Sequence, residues 1–161
     1  MQIKQNGLER EKSTLLLIGS GPVIFSLIER FHHEWSLTLV LKENAPDDGL
    51  PAAVKIVRGN ATDSLVLRQA GAENAKAIVA ATDNDEVNLE VCRLCGHLFQ
   101  TEKRLALVRS VQNLSAFEKE GIETIDTGSS IALAAETRLR KGSRAAFGVG
   151  LGKGEVYEVT V

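Results

Sequence analysis

The stretch STLLLIGSGPVIFSLIER, residues Ser13–Arg30, decides the fold. Leu15, Leu16, Leu17 and Ile18 form an unbroken apolar run of strand length, the pattern of a strand buried on both faces. Gly19, Ser20 and Gly21 break the strand, and Pro22 suits the first turn of a helix, where its missing N–H is not needed. Val23, Ile24, Leu27, Ile28 and Phe31 then recur at helical spacing. A strand, a Gly-x-Gly turn and a helix together gather free backbone N–H groups at a helix N-terminus, a ready site for phosphate. The full dinucleotide fingerprint wants a third small residue where Ile24 stands, so Ile24 must either hold helix and strand apart or turn away from the phosphates. A plain strand–helix turn is the alternative reading of the same residues.

Outward from this unit the chain keeps alternating. Ser36–Leu41 is a second β-rich run, and Glu43–Ala53, with its two prolines and a glycine, is a loop with at most a turn of helix. Val54–Val57 is a third short strand, followed by Gly59–Asp63 and a helix over Ser64–Ala70 that Gly71 ends. Ala77–Ala81 is a fourth buried strand. Thr82–Asp85 opens a long helix whose Val87, Val91, Leu94 and Leu98 mark the inner face. Leu105–Val108, a short helix over Asn113–Lys119 stopped at Gly121, the strand Ile122–Ile125 and a last helix over Ser129–Leu139 complete the pattern. Six strands alternating with helices through short connections predict an α/β fold: a doubly wound parallel sheet, Rossmann-like, with helices on both faces. Residues 1–12 read as a tail, 13–141 as the domain, and 142–161 as a glycine-rich linker with a terminal strand.

Composition narrows the function classes. At 43% hydrophobic and 25% charged the chain is an ordinary globular protein, and 161 residues suffice for one core. A formal net charge of −2 argues against nucleic acid, and 4% aromatics against a base-stacking platform. No apolar run approaches a membrane span and the polar start is not a signal peptide, so a cytoplasmic protein without direct membrane insertion is expected. Cys92 and Cys95 form one Cys-x-x-Cys on a helix beside Val91 and Leu98. Core packing is favoured over a metal site, which wants a second pair. His32 and His33 close the first helix, where a cation is favourable, and no catalytic triad or paired-carboxylate arrangement stands out.

The polar clusters share a position. Gly19–Gly21, Lys42–Glu43, Asn60–Asp63, Thr82–Asp83 and Arg109 each follow a predicted strand, so a parallel sheet brings them to one edge, where such folds bind ligands. Thr62, Asp63, Thr82 and Asp83 are equally good helix caps. At the end of the second strand an NAD site usually places a carboxylate for the ribose hydroxyls. Here Lys42 stands there and Glu43 follows. Either Glu43 takes that role one residue late, or Lys42 does something else, such as approach a 2′-phosphate, or the two are a solvated charge pair.

Gly59-Asn60-Ala61-Thr62-Asp63, then Leu67 and Ala70-Gly71-Ala72, then Ala77–Glu86 with Asn88, resembles the N-terminal RCK domain, also called KTN or TrkA-N. Arg109 and Gly121-Ile122-Glu123 match as well, so the resemblance spans about Ser13–Leu139. It implies a Rossmann-like domain that dimerises or joins a larger ring. Such a domain binds NAD(H), ATP, ADP or AMP and passes ligand state to a membrane potassium or cation channel or transporter. It further implies phosphate contacts at Gly19, Ser20, Gly21, Pro22 and Val23. Ribose or adenine contacts fall around Lys42, Glu43, Asn60, Ala61 and Thr62, with more at Ala81, Thr82 and Arg109.

The chain departs from the family pattern at Ile24, at Pro22 where relatives often carry a basic residue, at Lys42 in place of an acid, at Asn60 in place of Asp, and in the short Glu43–Ala53 connection. The expected function is regulatory nucleotide binding without catalysis. A ligand-free dimerisation scaffold is one alternative. An NAD(P)-dependent oxidoreductase fragment is the other, although only about twenty residues follow the last helix, too few for a substrate domain.

Overall fold

The computed structural model describes residues 12–140. The expected tail, apart from Lys12, and the linker and strand at 142–161 lie outside the described residues. In order, the elements are β1 (Thr14–Gly19), α1 (Pro22–Phe31), β2 (Ser36–Leu41), β3 (Lys55–Arg58), α2 (Ser64–Gln69), β4 (Ala75–Ala81), α3 (Asp85–Phe99), β5 (Lys103–Val108), α4 (Leu114–Lys119), β6 (Glu123–Asp126) and α5 (Thr127–Leu139). The six strands are parallel and ordered β3-β2-β1-β4-β5-β6, the doubly wound arrangement, with the chain reversing direction across the sheet between β1 and β4. No helix connects β2 to β3, in keeping with the two prolines and the glycine of that stretch.

Strand alternation sorts the apolar runs onto two faces. Leu16 and Ile18 join Val40, Ile78, Ala80, Ala106 and Val108 beneath Leu67 of α2, Val91, Cys92 and Cys95 of α3, and Phe117 of α4. Leu15 and Leu17 join Leu37, Leu39, Leu41, Val79 and Ala81 against Ile24 and Ile28 of α1 and against Val54. Because both faces are covered, the central strands carry no polar alternation, and that is why their sequences run apolar without a break.

Ile24 resolves the question its sequence position raises. It is 1% exposed and packs into the second cluster with Leu15 and Leu17. Its side chain therefore points at the sheet and away from the turn at Gly19–Gly21. Burying it stabilises the domain by about 1.5–3 kcal/mol.

The inner face of α3 corrects the sequence reading. Leu98 is 56% exposed, and the buried stripe is Asn88, Val91, Cys92, Cys95 and Phe99, with Val87 and Leu94 packed at its margin. That set follows the i, i+3, i+4, i+7 rule from a polar residue, so a search for apolar positions alone rotates the helix by part of a turn. Cys92 and Cys95 are free and buried, and loss of hydration pushes both thiols up to about 12. Their packing in the core agrees with the favoured expectation.

The chain divides between Thr127 and Gly128 into two compact units. The sheet and α1–α4 form the first. The second is represented by α5, none of whose residues is buried; Ile131, Leu133 and Leu139 are its exposed apolar side chains. Among the described residues no helix is long and apolar enough to cross a membrane.

Candidate functional site

The carboxyl ends of β1, β2, β3 and β4 enclose a cleft of about 200 Å3 at the point where the strand order reverses. Gly19 and Ser20 line it after β1, Lys42 after β2, Gly59, Asn60 and Ala61 after β3, and Thr82 and Asp83 after β4. Ile18, Val40, Leu41 and Val87 give it an apolar floor. Pockets that enclose a whole drug-sized ligand hold about 300–1,000 Å3. A cleft of this size takes part of a dinucleotide and leaves the rest outside.

The turn after β1 is shaped by two different demands on glycine. Gly19 has φ +133°, and a Cβ on it would lie 2.7 Å from the Ala81 carbonyl carbon and closer still to its oxygen. The close approach of β1 to β4, where Gly19 pairs with Ala81, therefore requires glycine whether or not a ligand binds. Gly21, at φ +87°, is the N-cap residue of α1, and a Cβ there would meet nothing within 4 Å. That space is open to a ligand.

The N-terminus of α1 has no side-chain cap. Phe25 N–H makes the first helical bond, to Gly21 O at 3.2 Å, and no side chain caps the N–H groups of Val23 and Ile24 that precede it. Pro22 supplies no donor. By contrast, Asp63 caps α2 by accepting from Leu65 N–H, and Asn84 caps α3 by accepting from Glu86 and Val87 N–H. Uncapped donors at the positive end of a helix fit a phosphate.

The β4 wall is held by Asn88, fully buried in α3. Its Oδ1 accepts from Thr82 N–H at 2.9 Å and from the Thr82 hydroxyl at 2.6 Å. Its Nδ2 donates to Thr82 O at 3.2 Å and to Leu107 O at 2.9 Å. One amide thus fixes the loop after β4 to both α3 and β5, and Thr82 faces the cleft with its hydroxyl engaged. On the β3 side, Asn60 Oδ1 accepts from Thr62 N–H at 3.0 Å and from the Thr62 hydroxyl at 2.8 Å, a local turn that precedes α2.

Not every expected residue reaches the cleft. Gly19, Ser20, Lys42, Asn60, Ala61 and Thr82 line it. Gly21, Pro22 and Val23 follow Ser20 directly in the turn and first turn of α1, while Ala81 is buried in the sheet beside Gly19. Glu43 and Thr62 are outside the lining. Arg109 sits in a neighbouring shallow cleft with Asp83, Asn84, Asp85, Glu86 and Asn113, where its guanidinium donates to Asp83 O at 3.2 Å.

Asp85 organises that second cleft. It accepts from Arg109 N–H at 2.9 Å, Ser110 N–H at 3.1 Å and Asn113 Nδ2 at 2.8 Å. Burial raises its pKa, but these bonds, led by Asn113, and the Arg109 charge outweigh burial and hold the carboxyl below its ordinary 3.8. Arg58 has a similar role beside β2. Its Nη1 donates to the carbonyls of Ala45 at 2.8 Å, Glu43 at 3.1 Å and Lys42 at 3.4 Å, and its Nη2 pairs with Asp47 at 2.8 Å. Sequence reading gave Arg58 no role, placed Asp85 only at the opening of α3, and named Asn88 only within the family resemblance. The signal for Asn88 was its place in the resemblance; its place in the buried stripe of α3 came only with the structure.

A doubly wound sheet with a glycine turn, an uncapped α1 and a cleft at the strand reversal defines a Rossmann-type domain. The TrkA-N domain model matches residues 15–127, and the chain belongs to that family. The Trk system potassium uptake protein TrkA of Vibrio alginolyticus is 33% identical over 113 residues, 67% of this chain and 24% of that protein. The chain therefore spans about a quarter of that relative's length. The TrkA-N domain of the inner membrane protein ybaL from Escherichia coli matches with a TM-score of 0.71 at 19% identity, over 81% of this chain and 99% of that one. The Kef C-terminal domain of Shewanella denitrificans in its AMP-bound form gives 0.67 at 19%, over 82% and 84%. The GsuK channel bound to NAD gives 0.60 at 22%, over 73% of this chain and 22% of that one. At these identities the solved structures share the fold.

Proposed function

We propose that this domain binds an adenine nucleotide, of the NAD(H) or ATP, ADP and AMP class, and regulates a potassium or cation channel or transporter through ligand-dependent conformational change. The observation that carries the reading is the uncapped N-terminus of α1 beside the cleft at the strand reversal. Val23 and Ile24 N–H groups would hold phosphate there, Ser20 would add its hydroxyl, and Lys42, Asn60 and Ala61 would meet the ribose and base. Relatives in potassium uptake and structural neighbours bound to NAD or AMP support the same assignment. Regulation then needs no chemistry: a nucleotide that binds one arrangement of a homodimer or larger ring better than another shifts the population, and a membrane partner on the cytoplasmic side feels the shift. The proposed domain is 13–141.

The test is calorimetric titration with NAD(H), NADP(H), ATP, ADP and AMP on the chain and on Ser20→Glu. Ser20 is exposed, so the variant keeps its fold while placing a carboxylate where phosphate is expected. Saturable binding lost in Ser20→Glu is the expected result; no binding of any nucleotide at millimolar concentration refutes it. Pro22, which removes one donor from the cradle, favours a ligand-free dimerisation scaffold as the second reading. Native mass spectrometry showing a dimer without nucleotide would support that reading.

A further inference from the structure

We infer that the cleft selects an adenine nucleotide phosphorylated on its ribose 2′ oxygen, and that Lys42 is the selecting residue. This rests on the nucleotide-binding reading above and narrows it. In a doubly wound sheet the side chain at the end of β2 meets the adenosine ribose. A carboxylate there accepts hydrogen bonds from the 2′ and 3′ hydroxyls, whereas a cation accommodates a 2′-phosphate.

The structure offers donors and positive charge at that corner. Lys42 is exposed, lines the cleft directly after β2, and its ammonium makes no ion pair or hydrogen bond among the described residues. An ammonium cannot accept from a ribose hydroxyl. Glu43, the acid one position later, lies outside the lining, and its carbonyl is held by Arg58. Asn60 lines the cleft across from Lys42, and both donors of Thr62 occupy its Oδ1. That leaves the Nδ2 donor as the free end of its amide. Arg58 lies outside the lining, its guanidinium committed to the Lys42, Glu43 and Ala45 carbonyls and to Asp47. The one acid in the lining, Asp83, belongs to the β4 wall. Lys42 and the Asn60 amide thus form a corner of donors that suits phosphate oxygens better than ribose hydroxyls.

The decisive probes are 2′,5′-ADP and 5′-AMP, which differ by the 2′-phosphate alone, with 3′,5′-ADP as a control of equal charge. Calorimetry on the full chain should show 2′,5′-ADP binding about tenfold or more tightly than 5′-AMP, about 1.4 kcal/mol. The advantage should shrink as salt rises, since the corner is exposed. Lys42→Asp should abolish the advantage of 2′,5′-ADP over 5′-AMP, and Lys42→Arg should keep it. Circular dichroism checks that both variants fold. Equal affinity for 2′,5′-ADP and 5′-AMP overturns the inference and leaves the nucleotide site standing. An equal gain for 3′,5′-ADP also overturns it, because unspecific attraction then explains the effect. If neither 5′-AMP nor 2′,5′-ADP binds, the nucleotide reading itself falls.

Discussion

Asn88→Ala isolates the residue that shapes the β4 wall of the cleft. The substitution removes four hydrogen bonds, three to Thr82 and one to Leu107. Thr82 is half-buried, so its groups regain water and lose about 0.5–1.5 kcal/mol in total. The Leu107 carbonyl meets Asn88 under α3, where water does not replace the lost donor, and that costs about 1–3 kcal/mol. The sum is about 3 kcal/mol. With a urea m-value of about 2 kcal/mol/M, the midpoint should fall by about 1.5 M, read from the single Trp35 and from circular dichroism. Asn88→Asp gives a companion signature. It keeps the acceptor for Thr82 but turns a carboxylate towards the Thr82 and Leu107 carbonyls, so its native pKa rises and its destabilisation should shrink as pH falls. A midpoint shift below about 0.3 M for Asn88→Ala would show that the network does not hold the loop, and the reasoning fails.

Gly19→Ala separates scaffold from ligand: the positive φ and the overlap with Ala81 should cost about 3 kcal/mol or more without any nucleotide. A thermal melt lowered by less than about 1 kcal/mol would contradict the close β1–β4 approach. Asp85→Asn should lose about 1–2 kcal/mol at neutral pH, because two backbone N–H groups and the Asn113 amide lose a charged acceptor. The native pKa of Asp85 is depressed, so its contribution is complete above the unfolded value near 3.8 and fades as pH falls through the lower native value. Wild type and variant should therefore converge in acid, and a constant gap down to pH 2 would refute the assignment.

Much of the fold was legible because the buried strands leave few readings. Leu15–Ile18 and Ala77–Ala81 are apolar without alternation, which in a chain this size means a strand covered on both sides. Asp63 announced α2 by cap chemistry and makes the bond expected of it, whereas α3 is capped by Asn84 and not by Thr82 or Asp83. The site was legible as an edge, since every strand end in a parallel sheet points the same way. Its interior was not. Asn88 packs where an apolar residue is expected, and its partner Leu107 lies nineteen positions away, so its role exists only after β4 and β5 are paired. Arg109 reaches back to Asp83, twenty-six positions before it, for the same reason. Ile24 looked like an obstacle to phosphate because sequence gives the identity at a position in a turn and not the direction of its side chain.

The connection between β2 and β3 has a consequence for local motion. Residues 42–54 have no helix of their own, β3 is an edge strand, and one guanidinium, that of Arg58, ties three carbonyls and a carboxylate of the segment. Opening this segment breaks the Arg58 bonds, three local turns and the packing of Ala45, Leu50 and Val54, and it costs less than opening the core sheet. Amide hydrogen exchange should see it as a separate, fast-opening unit whose protection collapses as a block. Whatever competes for Arg58 loosens the strand end that carries Lys42. A ligand held by Lys42 would therefore slow exchange along this edge as well.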